Sequence, residues 1–287
     1  MTAVLRHELR LYFHSLTAYI FGALLLAFTG IGAMLYNIQA AVSNFEFVLS
    51  FGSFVFVIIV PILTMRVIAE ERRQKTDQLL YSLPVTTTQV VLGKYLALLT
   101  VYLLPLCVIS LYPLIFSRFG DVYLLTSYGS LFAFFLMGAA FLAVGVFLSS
   151  LTDNQGFAAG IGIVVILLNY YSVALSEYVS STALGSAAAL FVLFLALGLL
   201  VRCLTGNEAL GWGVCLVLMA AVTAAYLFSP ASFEGLLPEI MAALSLFERF
   251  SAFVNGVFDL TAIVYYASVI IFFLFLTVQS LEKRRYA

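Results

Sequence analysis

Eight apolar stretches, free of charge except at their ends, restrict this chain to folds whose solvent is lipid. They run over Thr17–Asn37, Ser50–Ile68, Tyr95–Ser117, Ser127–Leu151, Phe157–Ser176, Gly185–Val201, Leu210–Phe228 and Leu260–Ser280. A helix needs about 20 apolar residues to cross a bilayer. With 64% hydrophobic residues and a mean hydropathy of +1.13, the chain carries more apolar surface than a soluble domain of 287 residues buries. The expected fold is all-α, a polytopic transmembrane helical bundle forming a single domain over 1–287. The sixth and seventh stretches are the shortest and the richest in Ala and Gly. Read as a crossing hairpin over 185–228 they make eight spans, and as a re-entrant or shallow pair they leave six, with both termini on one side in either case. Pro61 in the second stretch and Pro105 and Pro113 in the third mark places where helices kink.

Basic residues orient the bundle. An inside N-terminus puts Arg6, Arg10, Arg66, Arg72, Arg73, Lys75, Lys94, Arg202, Lys283, Arg284 and Arg285 on the cytoplasmic face and leaves Arg118 and Arg249 outside. Eleven of the 13 basic residues then lie inside, a strong positive-inside bias. The expected location is a bacterial-type cytoplasmic (inner or plasma) membrane, crossed many times, with both termini cytoplasmic. Residues 1–16 mix Arg6, His7, Glu8 and Arg10 with Leu5, Leu9, Leu11 and Phe13, the pattern of an interfacial helix rather than a cleaved signal peptide. His7 and His14 lack an acidic or thiol partner at ligand spacing, and Cys107, Cys203 and Cys215 form no CxxC pair, so no metal site is expected. The segment 229–259 mixes Glu234, Glu239, Glu248 and Arg249 with Phe233, Leu237, Leu244 and Phe250, as short amphipathic helices on the outer surface would.

Against this apolar background one island of charge stands out. Only 9% of the residues are Asp, Glu, Lys or Arg, yet six of the eight from Glu70 to Asp77 are charged. The loop 69–94 reads as a helix over Glu70–Tyr81, an elbow at Pro84, and a second helix entered at Thr86. There Thr86 and Gln89 form a capping box, and Val85 and Val90 a hydrophobic staple.

Several function classes are excluded. None of the apolar stretches carries an ionisable residue in its middle, which argues against ion coupling. HExxH, GxSxG and Walker A patterns are all missing, so no catalytic residue and no bound cofactor is expected, and energy must come from a partner.

The runs Pro61-Ile62-Leu63-Thr64-Met65-Arg66, Ala69-Glu70-Glu71-Arg72-Arg73-Gln74-Lys75-Thr76-Asp77-Gln78-Leu79-Leu80, Leu83-Pro84-Val85 and Leu92-Gly93-Lys94-Tyr95-Leu96-Ala97 resemble the membrane subunits of ABC-2-type transporters. The branch they look most like is that of the gliding-motility-associated permeases. Leu148-Ser149-Ser150-Leu151-Thr152-Asp153-Asn154-Gln155 and Gly256-Val257-Phe258-Asp259-Leu260 agree with it, and the resemblance covers most of the chain outside 185–228. Two features depart from the pattern: Lys75 stands where the family usually has Gly, and 185–228 looks like a hairpin added to six core spans.

The resemblance implies a permease of the type V exporter kind. It would couple ATP hydrolysis on a separate ATPase subunit, present in two copies with their ATP and Mg, to export of a substrate, beside a second permease copy or a homologue. An external accessory subunit is a further candidate partner, and nucleic acid is not one. The coupling residues would be Glu70, Glu71, Arg72, Arg73, Thr76, Asp77, Leu79, Leu80, Leu83 and Pro84. In that arrangement Leu79, Leu80 and Leu83 fill a depression on the ATPase while Glu71, Arg72 and Arg73 make rim contacts. Thr152, Asp153, Asn154 and Gln155 would form a second, smaller contact, although Asp-Asn is also ordinary turn chemistry. Asn169, Tyr170 and Tyr171 are candidates for a translocation path or for interface anchors. A competing reading is a mechanotransmitting or scaffold subunit that passes ATPase motion to an external partner without transport.

Overall fold

All eight apolar stretches are helical in the computed structural model, which describes residues 2–76, 86–179, 182–205, 208–228 and 233–286. In chain order the helices are α1 (Thr2–His14), α2 (Leu16–Ala33, continued by a π-helical segment Met34–Gln39), α3 (Glu46–Ser53), α4 (Phe56–Thr64) and α5 (Ala69–Arg73). Then come α6 (Thr87–Ile109), α7 (Leu111–Phe116), α8 (Leu124–Leu151), α9 (Gln155–Ser176), α10 (Ala183–Thr205) and α11 (Glu208–Phe228). Two short helices, α12 (Leu236–Leu244) and α13 (Leu246–Val254), precede the last, α14 (Leu260–Tyr286).

Among the described residues, Leu16–Gln39, Thr87–Phe116, Leu124–Leu151, Gln155–Ser176, Gly211–Phe228 and Leu260–Arg284 are long and apolar enough to cross a membrane. The second stretch is a bent pair, Glu46–Ser53 with Phe56–Arg73, whose halves meet at 58°, and Ala183–Leu199 is apolar but shorter. The 58° bend is not at Pro61. It lies upstream, at Phe54 and Val55, where the amides of Val55, Val57 and Ile58 bond carbonyls three residues back, the tight winding of a 3₁₀ turn. Helix α4 continues through Pro61 without a break, and α6 continues through Pro105 to end at Ile109, before Pro113.

The chain forms two compact units, residues 1–170 with 249–285, and residues 171–248 with 286–287. In the first, α8 is the central helix, buried without interruption from Met137 to Phe147. Lipid tails are as apolar as these side chains, so what holds such a bundle is close packing and buried hydrogen bonds. Tyr102 donates to the Phe134 carbonyl at 2.8 Å and sets its ring edge-on to Phe21 and Phe56, while Tyr95 donates to the Ala139 carbonyl at 3.0 Å. These rings approach because α8 is small where they meet it: a Cβ on Gly138 would stand 2.5 Å from the Tyr102 hydroxyl. Near the other end of α8, Ser127 donates to the buried Glu46 carboxyl at 3.2 Å and ties α3 to α8.

In the second unit α10 and α11 form a hairpin closed at its turn by an ion pair between Arg202 and Glu208. Gly198 and Gly211 let the two backbones touch, since a Cβ on either would lie 3.0 Å from the other's carbonyl oxygen. Ala187, Val222 and Phe233 make a small core, with Tyr226 edge-on to Phe233 and Leu237 N–H bonded to Ser186 Oγ at 3.3 Å.

The contact of Gly145 with Thr64 generates a test. A Cβ there would fall 2.3 Å from Thr64 Oγ1 and 2.8 Å from its Cβ, on a short, buried side chain already bonded to the Val60 carbonyl. Gly145→Ala is expected to cost about 1–3 kcal/mol through overpacking. It should lower the melting temperature of the detergent-solubilised protein by several degrees, whereas Gly160→Ala, with open space at its Cβ, should not.

Candidate functional site

The charged island folds into a short helix whose ends match the helix dipole. Glu70 and Glu71 occupy the first turn of α5 and Arg72 and Arg73 its last. Its start is fixed from α8: Ser149 Oγ accepts from the amides of Ile68 and Ala69 and donates to the Met65 carbonyl, each at 3.2 Å. Its end is a Schellman motif, in which Thr76 N–H bonds the Glu71 carbonyl at 3.0 Å and Lys75 N–H the Arg72 carbonyl at 3.1 Å. This motif requires a left-handed residue at its turn, and Lys75 supplies it with φ of +57°. The departure from Gly at this position therefore falls where Gly would be least strained. The helix expected over Glu70–Tyr81 is thus shorter, closing at Arg73. Asp77, Leu79, Leu80, Leu83 and Pro84 lie outside the described residues. Beyond them the Thr86 cap forms as expected, its hydroxyl accepting from Gln89 N–H at 3.3 Å.

Two of the three expected rim residues face inward. Glu71 accepts from Lys94 Nζ at 2.6 Å, and the same ammonium donates to Glu8 at 2.6 Å, so Lys94, 2% exposed, joins α1, α5 and α6. Arg72 is buried, donates to the Ser150 carbonyl and stands 3.9 Å from Asp153. Arg73, Gln74, Lys75 and Thr76 are exposed.

The second expected contact segment lies beside the first. Asn154 caps α9, its Oδ1 accepting from Gly156 N–H at 3.0 Å and Phe157 N–H at 3.4 Å, while Asn154 N–H bonds Thr152 Oγ1 at 3.1 Å. Gln155 begins α9. Asp153 accepts from Arg284 at 3.0 Å, and Ser280 donates to the Ser150 carbonyl that Arg72 also uses. Glu8, Lys94, Glu71, Arg72, Asp153 and Arg284 thus line up in chains of alternating sign across one end of the bundle. Beneath them Tyr12 is buried, and burial, reinforced by the Glu8 and Glu71 carboxylates, holds its phenol well above the ordinary tyrosine range.

Glu8, Lys94, Ser149, Ser280 and Arg284 were not singled out from the sequence for these contacts, because each finds its partner tens of residues away. Two signals were nonetheless present. Glu8 is the one acid of α1 and lies on the same helical face as Tyr12, and Lys94 is a lone cation inside an otherwise uncharged helix.

Of the three candidate path residues, Tyr170 lines a cavity of 380 Å³ together with Phe28, Tyr36, Phe47, Phe51 and Phe54. Its ring stands edge-on to Phe54, at the bend, with centroids 5.2 Å apart. Asn169 is half-buried and Tyr171 is exposed on the same helix; neither lines that cavity.

Helices fit to cross a bilayer, with a charged network across one end, define a multi-pass helical membrane protein. The family model for the ABC-2 family transporter proteins matches residues 29–223, more than half of the chain, and the chain belongs to that family. It is accordingly a membrane permease subunit of an ABC transporter, and the family pairs with an ABC ATPase subunit. The matched residues run through α10 and most of α11. No curated protein and no solved structure matches the chain.

Lys94→Met leaves Glu8 and Glu71 facing each other with no cation between them, a loss of about 3–5 kcal/mol. Thermal melting should show it, and adding Glu8→Gln and Glu71→Gln should recover part of the loss. Lys75→Gly should relieve about 1 kcal/mol of left-handed strain and raise the melting temperature by a few degrees.

Proposed function

We propose that this permease couples ATP hydrolysis on its partner ATPase to export through the charged end of the bundle. The observation that carries the reading is the junction at Arg72. One buried guanidinium joins α5, the head of the coupling segment, to Ser150 and Asp153 at the turn into α9, the two segments the family resemblance assigns to the ATPase. The docking surface is then the exposed Arg73–Thr76, the following Asp77, Leu79, Leu80, Leu83 and Pro84, and Asp153 with Asn154. Glu70 and Glu71 position it from behind.

ATP binding, with its Mg, would close the ATPase pair and displace α5. Glu71 would pull Lys94 on α6 and Glu8 on α1, while Arg72 would pull the α8–α9 turn and, through Asp153, α14. The bend at Phe54 and Val55 gives the second stretch a joint at which that motion changes direction, beside the aromatic cavity at Tyr170.

The eleven-to-two basic bias supports a cytoplasmic location for this end. Both termini are assigned there, because Glu8 and Arg284 belong to it. We infer two permease copies or a homologous pair with two ATPases, in a bacterial-type cytoplasmic membrane, and place the chain near the gliding-motility-associated branch. A cavity walled by aromatic rings favours lipid-like or amphipathic cargo over a small ion.

Copurification and ATP hydrolysis with the partner ATPase test this reading. Leu80→Asp should remove a central apolar anchor and weaken association roughly thirtyfold or more, an effect of about 2 kcal/mol or more. Arg73→Ala, on an exposed rim, should cost only a few-fold and depend on salt. Membrane abundance should survive both. Intact association of the Leu80→Asp protein would end the docking proposal. Tight, active association with no ATP-dependent flux of amphipathic cargo in liposomes would assign the chain to mechanotransmission instead.

A further inference from the structure

Helix α1 has two chemically distinct faces, and the coupling network uses only one. At about 100° per residue, Glu8 and Tyr12 point one way and are buried. Arg6 and Arg10 point the other way, with His7 and His14 beside them, and all four are exposed. The one acid of α1 is the buried Glu8. The result is a helix face with two fixed positive charges and no acid of the same helix beside them.

Apolar side chains flank these charges. Leu11 is 52% and Phe13 37% exposed, and the chain turns at Ser15 directly into α2, whose first residues Leu16, Tyr19 and Ile20 are exposed as well. Tyr19 donates to the Phe13 carbonyl at 3.2 Å, holding the end of α1 against the start of a membrane-crossing helix. A helix pinned at that level, with outward arginines between exposed apolar residues, sits where lipid phosphates lie.

We propose that the exposed face of α1 binds anionic phospholipid headgroups in the leaflet at the charged end of the bundle, through Arg6 and Arg10. The occupant is the lipid rather than an acidic protein surface because the exposed Leu11 and Phe13 lead, across the short turn at His14 and Ser15, to the exposed apolar residues at the start of α2. Headgroup binding on the outer face would hold α1 in place, and with it the Glu8 carboxylate on Lys94.

The whole chain, purified without its ATPase, is reconstituted from an equal mixture of phosphatidylcholine and phosphatidylglycerol. The lipid it retains in detergent is then measured, together with its melting temperature in nanodiscs of either composition. The wild type should retain phosphatidylglycerol in excess over the mixture and melt several degrees higher when it is present. Each arginine near an anionic surface is worth about fivefold in binding, so Arg6→Gln/Arg10→Gln should weaken retention on the order of twentyfold and remove the thermal gain. Arg118→Gln, exposed at the other end of the bundle, should change neither.

Equal retention of the two lipids by the wild type would overturn the proposal, and so would undiminished enrichment in the Arg6→Gln/Arg10→Gln protein. A thermal gain reproduced by inorganic phosphate would assign the face to a free anion. A gain that needs the ATPase would assign it to that partner. Either result also overturns the lipid assignment. The readout involves neither nucleotide nor cargo, so a negative result leaves the coupling proposal standing.

Discussion

A single buried ammonium organises one end of this protein. Lys94 lies among helices in a low-dielectric setting, where an unpaired charge costs several kcal/mol, and two carboxylates from distant parts of the chain neutralise it. Because Glu8 and Glu71 both point at the same atom, α1 and α5 cannot be positioned independently of α6. The second junction, at Arg72, repeats this logic with a guanidinium, a carbonyl and the exposed Asp153. Pairs of this kind add little net stability compared with apolar packing, but they fix geometry, since a displaced partner leaves a buried charge behind.

The apolar half of the molecule works by a complementary rule. Where lipid surrounds the helices, burying Leu or Phe gains little over leaving it exposed, so specificity rests on fit. The tyrosines of α6 bond α8 carbonyls, and glycines on α8 make room for the Tyr102 ring and for Thr64. Charge fixes one end of the bundle and steric complementarity fixes its length, and both act through α8.

Much of the fold was legible because hydropathy is local. The apolar stretches emerged as helices with nearly the expected limits, and the Thr86 cap formed from a pattern four residues long. The coupling segment was legible as a charged, capped elbow, but the direction of its side chains was not. Arg72 and Arg73 are neighbours of one type, and only the presence of Ser150 and Asp153 some eighty residues on makes one internal and the other external. The bend at Phe54 and Val55 was not legible for a related reason. Proline is visible in a sequence, whereas a 3₁₀ turn at Phe54 and Val55 depends on how α3 meets α2 and α8. The Gly-to-Lys departure at position 75, by contrast, proved readable in retrospect, since the motif demands a left-handed residue whichever side chain is there.

The 58° bend has a consequence for the space inside the bundle. Helix α3 has eight residues and is therefore about 12 Å long. Inclined at that angle to α4, it advances only about half that distance along the α4 axis and swings roughly 10 Å sideways, one interhelical spacing. A single stretch of chain thus changes lanes within the bundle, leaving a neighbour's width of room without omitting a helix. The aromatic cavity of 380 Å³ lies along α3, walled by Phe47 and Phe51 from that helix and by Phe54 at the bend. One wall of that cavity is therefore positioned by a backbone angle as well as by side chains.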